Sequence, residues 1–169
     1  MDKKIIYSLA FVVAIIALLW FFGGGNRPAL ESASSPQSQS NMSSPLSALE
    51  TTFDFGSISM AGGNVSHIFK IKNISETAIT VTKIYTSCMC TTATLIKDLE
   101  RVGPFGMPGH APIPSISEII APGKEVNVEV VFDPAAHGPA GVGKIERAII
   151  IENKGNNPVE LKFSAFVTP

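Results

Sequence analysis

Apolar and polar residues alternate with a period of two over much of the chain beyond residue 50. Val126, Val128, Val130 and Phe132 alternate with Asn127, Glu129 and Val131, and Val159, Leu161, Phe163, Ala165 and Val167 alternate with Glu160, Lys162 and Ser164. Successive side chains on a strand point to opposite faces, so this pattern predicts strands with one buried and one wet face. Five further segments have strand character: Phe53–Ile58, Val65–Lys72, Ala78–Thr86, Ile116–Ile120 and Ile145–Glu152. In the second of these, Val65, His67, Phe69 and Ile71 share a face. Turn signals separate the segments at Gly62-Gly63, Asn73–Thr77, Pro122-Gly123 and Gly155–Pro158. No segment beyond the N-terminal run sustains a helical period. The expectation is an all-β, seven-stranded immunoglobulin-like sandwich with Val128, Val130, Leu161 and Phe163 in its core.

The N-terminus follows another pattern. Ile5 to Phe22 is apolar apart from Tyr7 and Ser8. At about 1.5 Å per residue the run is roughly 27 Å long as a helix, close to the thickness of a bilayer core. Lys3 and Lys4 precede it and only Arg27 follows closely, so the positive-inside rule keeps residues 1–4 cytoplasmic and sends the rest across. A signal peptide cleaved after Gly25 is the competing reading, but the run exceeds the roughly 7–15 residues of a usual signal core. Residues 23–47 are rich in Ser, Pro and Gln and poor in large apolar groups, which predicts a flexible linker. Residues 48–169 then form one periplasmic or extracellular domain, anchored by transmembrane residues 5–22.

Charge narrows the function classes. The chain has 13 Lys+Arg against 14 Asp+Glu, and no stretch is strongly basic. Nucleic-acid binding and charge-driven lipid binding are therefore unsupported, and the N-terminal helix is the expected membrane contact. Two cysteines do not make a disulfide scaffold. No nucleophile–base set is visible. The expected function is a non-enzymatic binding or assembly module whose partner is a protein of the cell envelope.

The candidate chemistry lies in Cys88-Met89-Cys90. Positions i and i+2 of a strand point the same way, so the two sulfurs are expected side by side at a strand end. There they would hold a soft metal such as copper or act as a redox pair. Met107 and His110 supply a thioether and an imidazole in a Pro/Gly-rich insertion, Gly103–Pro114, that follows the pair and is expected to fold back over it. Cys88, Cys90, His110 and Met107 are thus the candidate metal ligands. His67 alternates with apolar neighbours and reads as a packed strand residue. His137, in Asp133–Gly138, reads as an ordinary loop residue. A Cys88–Cys90 disulfide requires a bent backbone, since extended Cα atoms two residues apart lie about 6.6–6.8 Å apart, at the limit of bridge geometry. Gly138–Lys144 fits part of a phosphate-binding loop, but Ile145 replaces the hydroxyl residue and a strand follows in place of a helix.

Several motifs occur in one order: Phe53-Asp54-Phe55-Gly56, Asn73, Ser87-Cys88-Met89-Cys90-Thr91, Pro122-Gly123 and Val130-Val131-Phe132-Asp133-Pro134. Together they resemble the bacterial extracytoplasmic family labelled domain of unknown function 1573. More distantly, they are similar to the Ig-like domains of the sperm-protein and cilia-associated type. The family's Cys-Gly-Cys-Thr stands here as Cys88-Met89-Cys90-Thr91. The resemblance spans about Phe53 to Val167, and implies an Ig-like sandwich outside the cytoplasm but no reaction.

Overall fold

Each of the seven expected segments forms a strand in the computed structural model, which describes residues 44–110, 112–155 and 157–169. The expected cytoplasmic tail 1–4, the anchor 5–22 and the linker as far as residue 43 lie outside the described residues. Among those described, no helix is long and apolar enough to cross a membrane.

The described residues form ten strands, not seven: β1 (Leu46–Ala48), β2 (Thr52–Ser59), β3 (Val65–Asn73), β4 (Ile79–Thr86), β5 (Thr91–Lys97), β6 (Glu100–Phe105), β7 (Glu118–Ile120), β8 (Glu125–Phe132), β9 (Gly143–Asn153) and β10 (Val159–Thr168). Two five-stranded sheets pack face to face, in the orders β1-β3-β8-β5-β6 and β2-β10-β9-β4-β7. All recorded pairings are antiparallel except β2 with β10.

The three additional strands have weak patterns for physical reasons. β1 has one large buried side chain, Leu46, so its neighbourhood reads as linker; its pairing with β3 starts the fold before residue 48. The inward positions of β5 are Thr91, Ala93 and Leu95, two of them small or polar. β6 contains Gly103 and Pro104, residues that argue against a central strand but are tolerated at a sheet edge, where β6 lies. Gly103 has φ +128, and a Cβ there would stand 3.0 Å from the Ala93 carbonyl oxygen. The first part of the expected insertion is therefore strand.

The core follows the alternation. Val128, Val130, Leu161 and Phe163 are all buried, with Phe69, Ile71, Val81, Ile84, Ile149 and Ile151. His67 stacks on Phe53 with ring centroids 3.6 Å apart, and its Nε2 meets Glu50. Gly138–Gly141 is one 3-10 turn that leads into β9, so the phosphate-loop fragment joins two strands. Near the opposite end of β5, Lys97 pairs with Glu118 of β7 at 2.7 Å. That hydrogen bond holds the Lys97 ammonium above its ordinary pKa against the opposing effect of burial.

Candidate functional site

The chain changes sheets at the cysteines. β4 belongs to one sheet and β5 to the other, and Ser87–Cys90 is the arch between them. The pair is therefore not on a strand end but in a crossover. The period of two nonetheless persists: Thr86, Cys88 and Cys90 are buried, while Ser87 and Met89 are exposed. Both sulfurs consequently point inward and meet.

Hydrogen bonds hold the arch shut. The Thr86 hydroxyl lies 3.0 Å from both the Cys88 and Thr91 carbonyl oxygens, which share its one proton. Thr91 N–H returns to the Cys88 carbonyl at 3.2 Å, and Asp133 N–H donates to the Cys90 carbonyl at 2.9 Å. On the outer side, Ser87 N–H donates to the Ala148 carbonyl and Ala148 N–H to Ser87 Oγ, each at 2.9 Å. The bend brings the two cysteine Cα atoms to 5.3 Å, inside the range for a bridge, and the sulfurs are joined as a disulfide. Cys88 and Cys90 are only 8% and 3% exposed.

Each sulfur faces a different nitrogen group. Cys88 Sγ lies 3.1 Å from His137 Nε2, and Arg147 Nε–H donates to Cys90 Sγ at 3.3 Å. Cys90 N–H adds a contact to Cys88 Sγ at 3.4 Å, and Thr91 Oγ1 lies 3.6 Å from Cys90 Sγ. The Asp133-Pro134 turn positions His137. Its anchor is the bond from Asp133 N–H to Cys90, and Asp133 Oδ1 accepts from Ala135 N–H at 2.8 Å. Gly141 then packs so closely that a Cβ there would come within 3.2 Å of His137 Cβ. His137 is exposed, whereas Arg147 is half-buried on the core-facing side of β9, in phase with Ile149 and Ile151.

The ligand atoms of Cys88, Cys90 and His137 all lie within 4.8 Å of one another. His137, read from the sequence as a plain loop residue, thus joins the pair, and His110 does not belong to that three-donor group. The insertion does approach the arch, because Gly106 accepts a hydrogen bond from Thr86 N–H at 3.1 Å. Met107 is half-buried and His110 exposed; the His110 N–H donates to the Met107 carbonyl at 3.3 Å. Arg147 carried one readable sign: it is a cation on the inward phase of β9, in line with Ile145, Ile149 and Ile151. His137 carried none, since the pairing of Thr91 with Phe132 and the Asp133–Cys90 bond, both distant in sequence, place its loop beside the cysteines.

Among solved structures, a protein of unknown function from Porphyromonas gingivalis W83 is similar, with a TM-score of 0.53 and 16% identity. The overlap covers 72% of this chain and 46% of that one, so the chain spans less than half the length of that relative. The likeness shows a shared sandwich fold. PapD-like domain 7 of human CEP192 overlaps more loosely, with a TM-score of 0.47 and 11% identity over 75% of this chain and 87% of that domain. The YadV chaperone gives 0.45 and 7% over 74% and 53%. No curated protein matches the chain. Residues 46–104, from β1 into β6 and including the cysteine arch, match the family described as Protein of unknown function (DUF1573), the family that Cys88-Met89-Cys90-Thr91 resembles.

Proposed function

We propose that this chain is a non-enzymatic binding module of the cell envelope, held to the membrane through residues 5–22, and that its ligand is a soft monovalent metal ion, Cu(I). Cys88, Cys90 and His137 hold the ion once the disulfide is reduced. The observation that carries this reading is the convergence of the three ligand atoms within 4.8 Å. Thiolates select soft ions and imidazole suits copper, so the donor set is chemically apt. Charge favours a monovalent ion. Two thiolates and Cu(I) sum to −1, which the half-buried Arg147 guanidinium neutralises. A divalent ion in the same place would leave an uncompensated positive charge at a buried site, which is costly. In this reading the envelope partner is the protein that delivers or receives the ion. Met107 and His110 remain candidates for further ligands on the neighbouring segment.

The test is competition for Cu(I) between the reduced full chain, kept anaerobic, and a chromophoric chelator. One equivalent is expected to bind. Cys88→Ser and Cys90→Ser should each abolish binding, and His137→Ala should weaken it by at least about tenfold, the scale seen when even a supporting group is lost. His110→Ala and Met107→Ala measure whether the insertion contributes. Competition equal to that of a cysteine-free variant would overturn the proposal, as would equal binding by the oxidised protein.

A further inference from the structure

We infer that the Cys88–Cys90 disulfide is a directional electron acceptor for thiols: an incoming thiol attacks Cys88, and Cys90 departs. This activity is separate from metal holding and belongs to the oxidised form of the same pair.

The two sulfurs are not equivalent. Thiol–disulfide exchange places negative charge on the departing sulfur, so the sulfur better supplied with positive charge and donors leaves more readily. Cys90 has Arg147 Nε–H at 3.3 Å and the Thr91 hydroxyl at 3.6 Å. A guanidinium is cationic at any working pH, and Arg147 is half-buried, where its field is less screened. Cys88 has the imidazole of the exposed His137 at 3.1 Å and the Cys90 N–H at 3.4 Å, a weaker set than a fixed guanidinium with a hydroxyl. Access points the same way. Cys88 is the less buried of the two and borders the solvent-facing imidazole, whereas Cys90 lies beneath Arg147 and Thr91.

The steps balance as follows. A thiolate of an external thiol attacks Cys88 Sγ and forms a mixed disulfide. The Cys88–Cys90 bond breaks, and its electron pair leaves on Cys90 Sγ beside Arg147. A second external thiolate attacks the mixed disulfide at the external sulfur and releases Cys88 as a thiolate. Two external thiols are oxidised to one disulfide and the protein pair is reduced by two electrons. The two protons lost by the external thiols remain in solvent or on the new protein thiols. Until the second thiol arrives, Cys90 can attack Cys88 and reverse the first step, so the mixed disulfide is short-lived and must be trapped.

The experiment mixes the oxidised full chain with reduced glutathione, quenches with iodoacetamide at short times and locates both modifications by fragment mass spectrometry. Glutathione should be found on Cys88 with the alkyl group on Cys90, in at least about tenfold excess over the reverse. Arg147→Gln should slow opening by about tenfold and erode the preference, while Arg147→Lys should retain most of both. Equal labelling, predominance of glutathione on Cys90 or failure of glutathione to open the bridge would overturn the inference. So would an Arg147→Gln protein with wild-type rate and preference. The wild-type labelling stands whether or not a variant folds. Cu(I) titration of phosphine-reduced protein is read separately, so failure here leaves the metal proposal to its own test.

Discussion

Replacing Phe163 with alanine removes the ring that links Phe55 to Phe132 in the core. Phe163 is 1% exposed, with Phe55 at 5.3 Å and nearly perpendicular on one side and Phe132 at 5.2 Å on the other. In register it faces Phe53 on β2 and Arg147 on β9, so it lies where the outer strand, the central strand and the site's cation meet. Truncating a buried phenylalanine costs about 3–5 kcal/mol. Aromatic contacts contribute about 0.5–1.5 kcal/mol beyond area burial, which places this site near the upper end, at about 4–5 kcal/mol. Typical domains have about 5–15 kcal/mol in total. With an unfolding entropy of about 2.1 cal/mol/K per residue over roughly 125 residues, the melting temperature should fall by roughly 15–19 °C. Urea denaturation followed by near-ultraviolet circular dichroism, with unchanged slope, gives the loss directly. Phe166→Ala on the same strand is the control, since that ring is 53% exposed, and its change should stay within about 0.5 kcal/mol. If Phe163→Ala unfolds at the same midpoint as Phe166→Ala, the placement of Phe163 in the core is wrong.

Thr86→Val keeps shape but removes the hydroxyl that bridges the Cys88 and Thr91 carbonyls, and should cost about 1–3 kcal/mol and speed reduction of the disulfide by dithiothreitol; a neutral effect on both would remove Thr86 from the arch. Gly56 N–H and then the Ser164 hydroxyl donate to Asp54 and hold its carboxyl below the ordinary carboxylate pKa. Its contribution to stability is therefore present above the unfolded-state pKa and lost as pH falls through the lower folded one. The gap in urea midpoint between wild type and Asp54→Asn should accordingly be small but present at neutral pH and vanish in acid; a gap that persists in acid would refute the linkage. For topology, protease added to intact spheroplasts should remove a C-terminal epitope tag, and protection until lysis would reject the outward orientation.

What could be read from the sequence followed the strength of each segment's pattern. Val126–Phe132 and Val159–Val167 place large apolar groups on every inward position, and both are strands with those groups buried. β5 and β6 have small, polar or turn-forming residues at key positions and gain stability from neighbours distant in sequence: Thr91–Ile96 lies beside Asn127–Phe132. The same division holds at the site. Cys88 and Cys90 are adjacent because of a two-residue spacing that is legible locally. Their partners come from 49 and 57 residues farther along, through sheet pairing, so only the three-dimensional arrangement identifies them. The backbone bend at the arch is closed locally by the Thr86 hydroxyl but also depends on a tertiary bond, from Asp133 N–H to the Cys90 carbonyl.

The parallel pairing of β2 with β10 determines how the domain bears load. Thr52, nearer the N-terminus, lies opposite Lys162, while Thr168, next to the C-terminal residue, lies opposite Ser59. Tension between the two ends therefore enters this strand pair from opposite ends and acts along the strands. The backbone bonds between β2 and β10 share that force over six paired positions, whereas β1 at the sheet edge has only three paired positions on β3. A domain pulled between an N-terminal tether and a partner gripping β10 would yield first at β1 and then resist in shear. Mechanical rupture at constant pulling rate should show that order as a small early extension followed by a single high-force event.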